Sequence, residues 1–445
     1  MAAAAGSLSP QRAISPPQIF HTSTNEEYDS KLAELGVRTK EIQLAGGFGR
    51  ISPLHDRAEL IAKLQSPRLQ PDRDVRKYRI EVANSEAKIH LALQGVPCVP
   101  IITEVVTCQT GRVAIIMQNG GEDIFDTYLS NGLVPKLSML QLFANRWLKG
   151  LSGIHSRGVL HRDVKAENFT HELILDFGIS QKIGKDKARG LEGTPKYLSP
   201  EMVLDKAYDY KHDSFSFGAL LFVLFMCEHL VPIEYKSVPP EEPSTPEEEL
   251  AYLKRQLETS IQNQIDHLYL LQDALGELPQ HMLKNNKDAC QFNEHQQKWV
   301  LKPYSAGLPA YQRTFKERIL SNERTSRYEK ENIALLIDLI EKLTHLDPDN
   351  RITCTQALDH PFLSTPIARV QEIATLTSEV ARLLFEQGDL ELLVHEKRAA
   401  LDEKDNQLER ENSLDNFTLG PPALPPTSGR PPSRIAHFAE FPNKA

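Results

Sequence analysis

The sequence predicts an α+β chain of two lobes, a small strand-rich one followed by a larger helical one. From Lys40 to about Gln118, short apolar runs rich in β-branched residues (EIQL, AELIAKL, VPIITEVV, RVAIIM) are split by Gly and Pro. One helical stretch, DVRKYRIEVANSEAKIHLAL, interrupts them. From Leu137 the apolar spacing changes to a 3.6-residue period, as in LSMLQLFANRWLKGLSGIH. Strands first and helices second imply a cleft between two lobes, a usual place for ligands.

Taken in order, residues 1–39 are rich in Ala, Ser and Pro and are expected to be a disordered arm. Residues 40–120 form the small lobe and 121–364 the large one, with VPPEEPSTPEEE as a surface loop. Over 366–413, Ile373, Val380, Val394, Leu401 and Leu408 keep a seven-residue spacing, with Leu376, Leu383 and Leu390 between. That pattern predicts a helical extension docked on the body, or alternatively a short coiled coil. Residues 414–445 read as a Pro-rich disordered tail. Its stretch 421–434, PPALPPTSGRPPSR, suits a Pro-recognition domain.

The 445 residues are 40% hydrophobic and 25% charged, enough to bury a core. A net charge of −9 lacks the basic footprint of a nucleic-acid binder. Cys98, Cys108, Cys227, Cys290 and Cys354 are scattered with no C-x-x-C, which favours reduced thiols over disulfides or a zinc site. No basic segment followed by an apolar run opens the chain. Its longest apolar run, FGALLFVLFMC, is too short to cross a bilayer. The expectation is a cytoplasmic protein, with the nucleus as the alternative, and neither nucleic acid nor membrane as partner.

The stretch HRDVKAENFTHELILDFG, His161 to Gly178, carries the chemistry. Phosphoryl transfer needs a metal to gather charge, a lysine on the phosphates and an acceptor that orients the attacking hydroxyl. Asp163 lies five residues before Asn168, and Asp176 opens a D-F-G triplet. Asp and Asn are also common turn residues, but more follows. GTPKYLSPE contains Ser199-Pro200-Glu201, DSFSFG runs from Asp213 to Gly218, and Arg351 sits in LDPDNRIT.

This ordered series resembles the eukaryotic-type protein kinase family over roughly residues 40–364. The resemblance implies a bilobal protein-kinase-like fold: a small β-rich N-lobe with an αC helix and a large helical C-lobe. It implies ATP and Mg²⁺ as cofactors and protein substrates as partners. Asp163 would accept the hydroxyl proton, Lys165 would lie beside the transferred phosphate, and Asn168 and Asp176 would hold Mg²⁺. Glu201 would pair with Arg351, and Asp213 would brace the catalytic loop. QLAGGFGRI resembles the Gly-rich phosphate loop, with Gly46, Gly47, Gly49 and Ile51 over the nucleotide and Leu44 where the first glycine should be. In LIAKL, Lys63 matches the third-strand lysine, with Ala62 beside the nucleotide. Its partner would be Glu86, with Glu81 as the rival. Met117, Gln118 and Asn119 would form the hinge over adenine, and Glu122 would lie near the ribose.

Asn168 and Asp176 are only eight residues apart. The hairpin usual between these motifs must shrink, with His171-Glu172 as a two-residue turn. Thr170 stands where an apolar residue usually supports adenine, so Phe169 or Leu173 would take that role. Lys165 follows the Ser/Thr-kinase pattern. Residues Ile265 to Leu283, inside an insert of about 230–330, resemble the CMGC group, although GTPKYLSPE lacks that group's arginine. The reading is a protein serine/threonine kinase. The alternative is a pseudokinase scaffold, motivated by Leu44 and the short hairpin. A small-molecule kinase is opposed by the S-P-E segment, Asp213 and Arg351.

Kinases with an arginine at Arg162 usually bind a phosphate on the activation segment, here Asp176 to Glu201. The usual acceptor position is Gly190, and no Ser, Thr or Tyr lies between Gln181 and Glu192. Activity without loop phosphorylation is therefore expected, with Glu192 or Asp186 as candidates to pair with Arg162, or with a partner ordering the loop.

Overall fold

The structure, a computed structural model, describes residues 16–39, 44–46, 49–65, 73–184, 187–241, 245–284, 286–328 and 330–364. The first lobe holds strands β1 (Gln18–Thr22), β2 (Leu44–Gly46), β3 (Gly49–Pro53), β4 (Leu60–Gln65), β5 (Ile102–Cys108) and β6 (Val113–Gln118), with helices α1 (Asn25–Glu34) and α2 (Arg73–Ala92). The six strands form one sheet in the order β1-β5-β6-β4-β3-β2. Every neighbouring pair is antiparallel except β1 with β5.

Side chains alternate across this sheet, so its two faces bury different sets. On one face Ala83 and Ala87 of α2 meet Ile102, Val105, Ile115 and Met117. On the other, Tyr28 and Leu32 of α1 meet Leu54, Leu60, Ala62, Val106, Ala114 and Ile116. A bulge between Ile102 and Glu104 shifts the β5 register.

The disordered arm expected over 1–39 is, from Gln18 to Glu34, a folded part of the N-lobe. Composition hid a local signal. Thr24 and Glu27 form a reciprocal capping box that starts α1. Four residues apart, Tyr28 and Leu32 then share one helix face and are buried together. Residues 1–15, the 366–413 extension and the 414–445 tail lie outside the described residues.

The second lobe contains α3 (Ile124–Thr127), α4 (Leu137–Ser156), β7 (Val159–Leu160), β8 (Gln181–Lys182), α5 (Pro200–Val203), α6 (Lys211–Met226), α7 (Pro246–Leu275), α8 (Gln280–Leu283), β9 (Cys290–Asn293), β10 (Lys298–Leu301), α9 (Phe315–Ser321), α10 (Lys330–Leu343), α11 (Cys354–Ala357) and α12 (Pro361–Ser364). Within the run FGALLFVLFMC, Phe217 to Met226 is the buried end of α6, which Cys227 caps, packed against α4 and α10. Among the described residues no helix is long and apolar enough to cross a membrane. Glu201 and Arg351, 150 positions apart, form a buried bidentate pair at 2.6 and 2.9 Å. Losing one partner would strand the other charge in the core.

The α1 packing is directly testable. Leu32→Ala, at a fully buried site, is expected to lower unfolding free energy by about 3 kcal/mol, read from the urea midpoint. A loss under about 0.5 kcal/mol, the range of ordinary surface changes, would show that α1 is not part of the core.

Candidate active site

Lys63 lies in β4 on the face that carries α2. Its ammonium is 2.7 Å from Oε1 of Glu86 and 2.7 Å from Oδ1 of Asp176. The other oxygen of Glu86 accepts from Nε2 of Gln65. Glu81 is exposed, so the rivalry resolves in favour of Glu86. Burial alone would lower the pKa of Lys63, but Asp176 and Glu86 outweigh it and raise it. Burial likewise opposes ionisation of Asp176, yet Lys63 and the Gly178 amide hold it at about 2.

Alternation along β4 overturns one expectation. Ala62 precedes Lys63 directly, so its side chain faces away from the cleft, fully buried among Tyr28, Leu32 and Ile116. Ile61 shares the face of Lys63, opposite Met117 of β6. Ile51 stands opposite Lys63 across β3–β4, on the same face. Gly46 and Gly49 pair across β2–β3, and Gly47 lies outside the described residues. At the hinge, Gln118 N donates to Ile101 O at 2.8 Å and Asn119 N to Glu59 O at 2.8 Å. Glu122 is exposed and accepts from Thr127 Oγ1 at 3.3 Å.

The catalytic-loop motif is gathered by Asp213, in the first turn of α6. Its carboxylate accepts from His161 N at 2.8 Å, Arg162 N at 2.9 Å and His155 Nε2 at 2.8 Å. Those bonds hold Arg162 at a φ of +69°, outside the usual range of a non-glycine residue. The loop then turns Asp163 into a dense cluster. Its Oδ2 meets Lys165 Nζ at 3.0 Å and Asn168 Nδ2 at 2.8 Å, while Oδ1 accepts from Thr194 Oγ1 at 2.8 Å. Lys165 also donates to Thr194 Oγ1 at 3.1 Å.

The short hairpin forms as the spacing predicts. Phe169 and Ile174 bridge, Thr170 N donates to Leu173 O at 2.9 Å, and His171-Glu172 make the turn. The Thr170 hydroxyl accepts from the Glu172 and Leu173 amides. Leu175 N donates to Asn168 O at 2.7 Å, which keeps Asn168 and Asp176 close despite the missing residues. Phe169 is fully buried against Trp147. Under the hinge the Thr170 methyl keeps its place and is joined by Leu173 and Leu175: a Cβ on Gly120 would stand 3.1 Å from Thr170 Cγ2 and 3.4 Å from each leucine. Leu175, Gly120, Ile61 and Gln65 were not singled out in the sequence. Alternation from Leu173 and from Lys63 was the signal for Leu175, Ile61 and Gln65. Phe177 is buried between the rings of His90 on α2 and His161, at 5.0 and 5.3 Å.

The donor set fits a hard cation. Asn168 commits Nδ2 to Asp163, leaving its amide oxygen, and Asp176 commits Oδ1 to Lys63 and Gly178, leaving Oδ2. A carboxylate oxygen and an amide oxygen are both suitable ligands for Mg²⁺. Glu192 makes no ion pair with Arg162; the arginine donates through Nε to Ile179 O at 2.6 Å. Asp186 lies outside the described residues.

A model of the protein kinase domain matches residues 46–363. The chain belongs to that family. It is similar to the dual specificity protein kinase lkh1 of Schizosaccharomyces pombe, 23% identical over 282 residues covering 58% of this chain and 36% of that one. It is also similar to the dual specificity protein kinase CLK1 of Homo sapiens, 24% identical over 279 residues covering 57% and 50%. A third relative is the mitogen-activated protein kinase p38a of Drosophila melanogaster, 29% identical over 231 residues covering 50% and 50%. The chain spans between 36% and 50% of the length of these three. A solved kinase-domain structure shares the fold with a TM-score of 0.53 at 16% identity, covering 73% of this chain and 94% of its own. These relatives fit the CMGC-like character of the C-lobe insert.

The brace under the kinase catalytic loop sets a pH dependence. Burial would depress His155, but its bond to Asp213 raises it to about 10. Burial would raise Asp213, but His155 brings it down to about 2. The raised histidine contributes stability that is full below its ordinary value of 6.5 and is lost as pH climbs through about 10. The depressed aspartate contributes stability present above its ordinary value of 3.8 and lost as pH falls through about 2. The melting-temperature deficit of His155→Gln should therefore be greatest between pH 3.8 and 6.5 and shrink towards pH 10. A deficit independent of pH would mean that the pair is not ionised.

Proposed function

We propose that this kinase domain transfers the γ-phosphoryl group of ATP to serine or threonine hydroxyls of protein substrates. The observation that carries the reading is the Lys63 ammonium bonded at once to Glu86 and Asp176. A fixed, buried cation thus stands beside the metal-suited carboxylate of Asp176. Glu86 orients Lys63 towards the nucleotide phosphates. Ile51, Ile61, Met117 and Leu173 enclose the adenine, and Glu122 meets the ribose. Asn168 and Asp176 would hold Mg²⁺, which neutralises charge on the phosphates. Asp163 accepts the hydrogen bond of the attacking hydroxyl and orients it, and Lys165 steadies the transferred group. Thr194, in GTPKYLSPE, sits on both residues, so the end of the activation segment is tied to the group that orients the hydroxyl.

A pseudokinase scaffold is the second reading, motivated by Leu44. It accounts less well for four charged or polar groups held in register. Protein substrates, a cytoplasmic location and binding of a Pro-recognition domain to 421–434 belong to the same proposal. The first two are argued from the family and the sequence, the third from composition.

Radiolabel transfer to a peptide panel tests the activity. Lys63→Met and Asp176→Ala are each expected to lower transfer by at least about a hundredfold, with melting curves that show a folded domain. If both mutants match the wild type, the site assignment is wrong. Asp163→Asn should lower kcat by about 10²–10⁴ while ATP affinity stays within about twofold. Tight Mg²⁺-dependent ATP binding with no transfer to any peptide would favour the scaffold.

A further inference from the structure

The activation segment has to lie across the catalytic loop, and three sets of contacts keep it there. At its start, β8 pairs with β7. Ile183 N donates to Gly158 O at 2.8 Å, and the Tyr210 hydroxyl donates to Ile183 O at 3.2 Å. At its end, Gly193 at φ +107° packs so close to the Arg162 carbonyl that a Cβ would stand 2.4 Å from it. The middle is held from outside the segment by Tyr208 and, through a partly exposed ion pair to Lys187 at 3.5 Å, by Asp209. Tyr208 exchanges two backbone hydrogen bonds with Ala188, at 2.8 and 3.0 Å, and its hydroxyl donates to Arg189 O at 3.4 Å. Its side chain is 2% exposed.

Arg162 faces this junction. A phosphate on an activation segment works by giving such an arginine charge-assisted hydrogen bonds that order the loop. Here the Ile179 carbonyl takes Nε of Arg162, and the Arg162 charge also acts directly on the Tyr208 phenol. Between Gln181 and Glu192 the chain offers no hydroxyl to phosphorylate.

We infer that Tyr208 is a positioning residue that latches the activation segment beside Arg162, so that the segment is ordered for catalysis without a phosphate of its own. The inference rests on the reading of the chain as an active protein kinase, and its test separates the two. The full chain is treated with phosphatase, and initial rates on a peptide substrate are compared with those of untreated protein. The rate should stay within about twofold. Tyr208→Phe should lower kcat/KM for the peptide by about tenfold, the worth of one ordering hydrogen bond, while KM for ATP holds. Trypsin should then cut after Lys187 and Arg189 about tenfold faster than in the wild type. Ala188→Pro, which removes the amide donated to Tyr208, should act in the same direction.

A large drop on phosphatase treatment, restored by rephosphorylation within 176–201, would overturn the latch. So would a Tyr208→Phe protein with wild-type rates and wild-type cleavage. If untreated protein binds ATP yet transfers phosphate to no peptide, the kinase reading fails. The trypsin comparison still decides whether Tyr208 holds the segment.

Discussion

Everything in the cleft depends on one buried ammonium shared by two carboxylates. An isolated charge at Lys63 would be costly in so enclosed a site. Glu86 and Asp176 offset that cost, and they come from different parts of the fold, α2 and the D-F-G turn. The junction therefore fixes three elements at once. It sets the depth of α2 against the sheet and the direction of Asp176. It also favours the inward seat of Phe177 between His90 and His161. Moving any one of these leaves at least one charge without its partner, so the arrangement is cooperative by construction.

A second anchor lies below. Asp213 does for the catalytic loop what Lys63 does for the cleft. It supplies one buried carboxylate to two consecutive amides and an imidazole, and so stabilises a backbone conformation that Arg162 would not adopt alone. The shortened hairpin matters little to this frame. Its lost residues come from the tip, while the bond from Leu175 N to Asn168 O survives at the base. What changes is the floor under the hinge: Thr170 turns its hydroxyl to the turn amides and its methyl to Gly120, where Leu173 and Leu175 complete the apolar surface.

How much of this was legible in the sequence follows from how local each signal is. Asp163, Asn168 and Asp176 lie within fourteen positions, and their spacing is a direct record of loop geometry. The eight-residue gap implied a two-residue turn because few other closures fit. Glu201 with Arg351 was legible only through the family resemblance, since 150 positions separate them. Ala62 was misplaced although the period-2 rule was available, because adjacency to Lys63 outweighed which face it occupies. The folded stretch Gln18–Glu34 was missed for a different reason. Its helix has only two buried side chains, and what stabilises it is a sheet face that sequence periodicity alone does not reveal as vacant. The Arg162 partner was sought among carboxylates, and a carbonyl and a phenol took the role.

That last substitution bears on how the two ends of the molecule divide the work. The N-lobe sheet is clamped on both faces, by α2 in front and α1 behind. Ala62 and Ala114 are small enough to let the ring of Tyr28 approach the strands next to Lys63. The C-lobe fixes the activation segment from its own backbone through Ala188 and Tyr208. In both lobes, apolar burial and neutral hydrogen bonds are joined by a few buried charge pairs, Lys63 with Glu86 and Asp176, His155 with Asp213, and Arg351 with Glu201. Neutral contacts are screened little by salt and change little with pH. The charged pairs are buried, so salt screens them less than it screens exposed ones. A kinase domain built this way has few points at which an added charge could switch it. Between Gln181 and Glu192, where the Ala188–Tyr208 bonds hold the segment, the chain offers no hydroxyl to which a phosphate could be added.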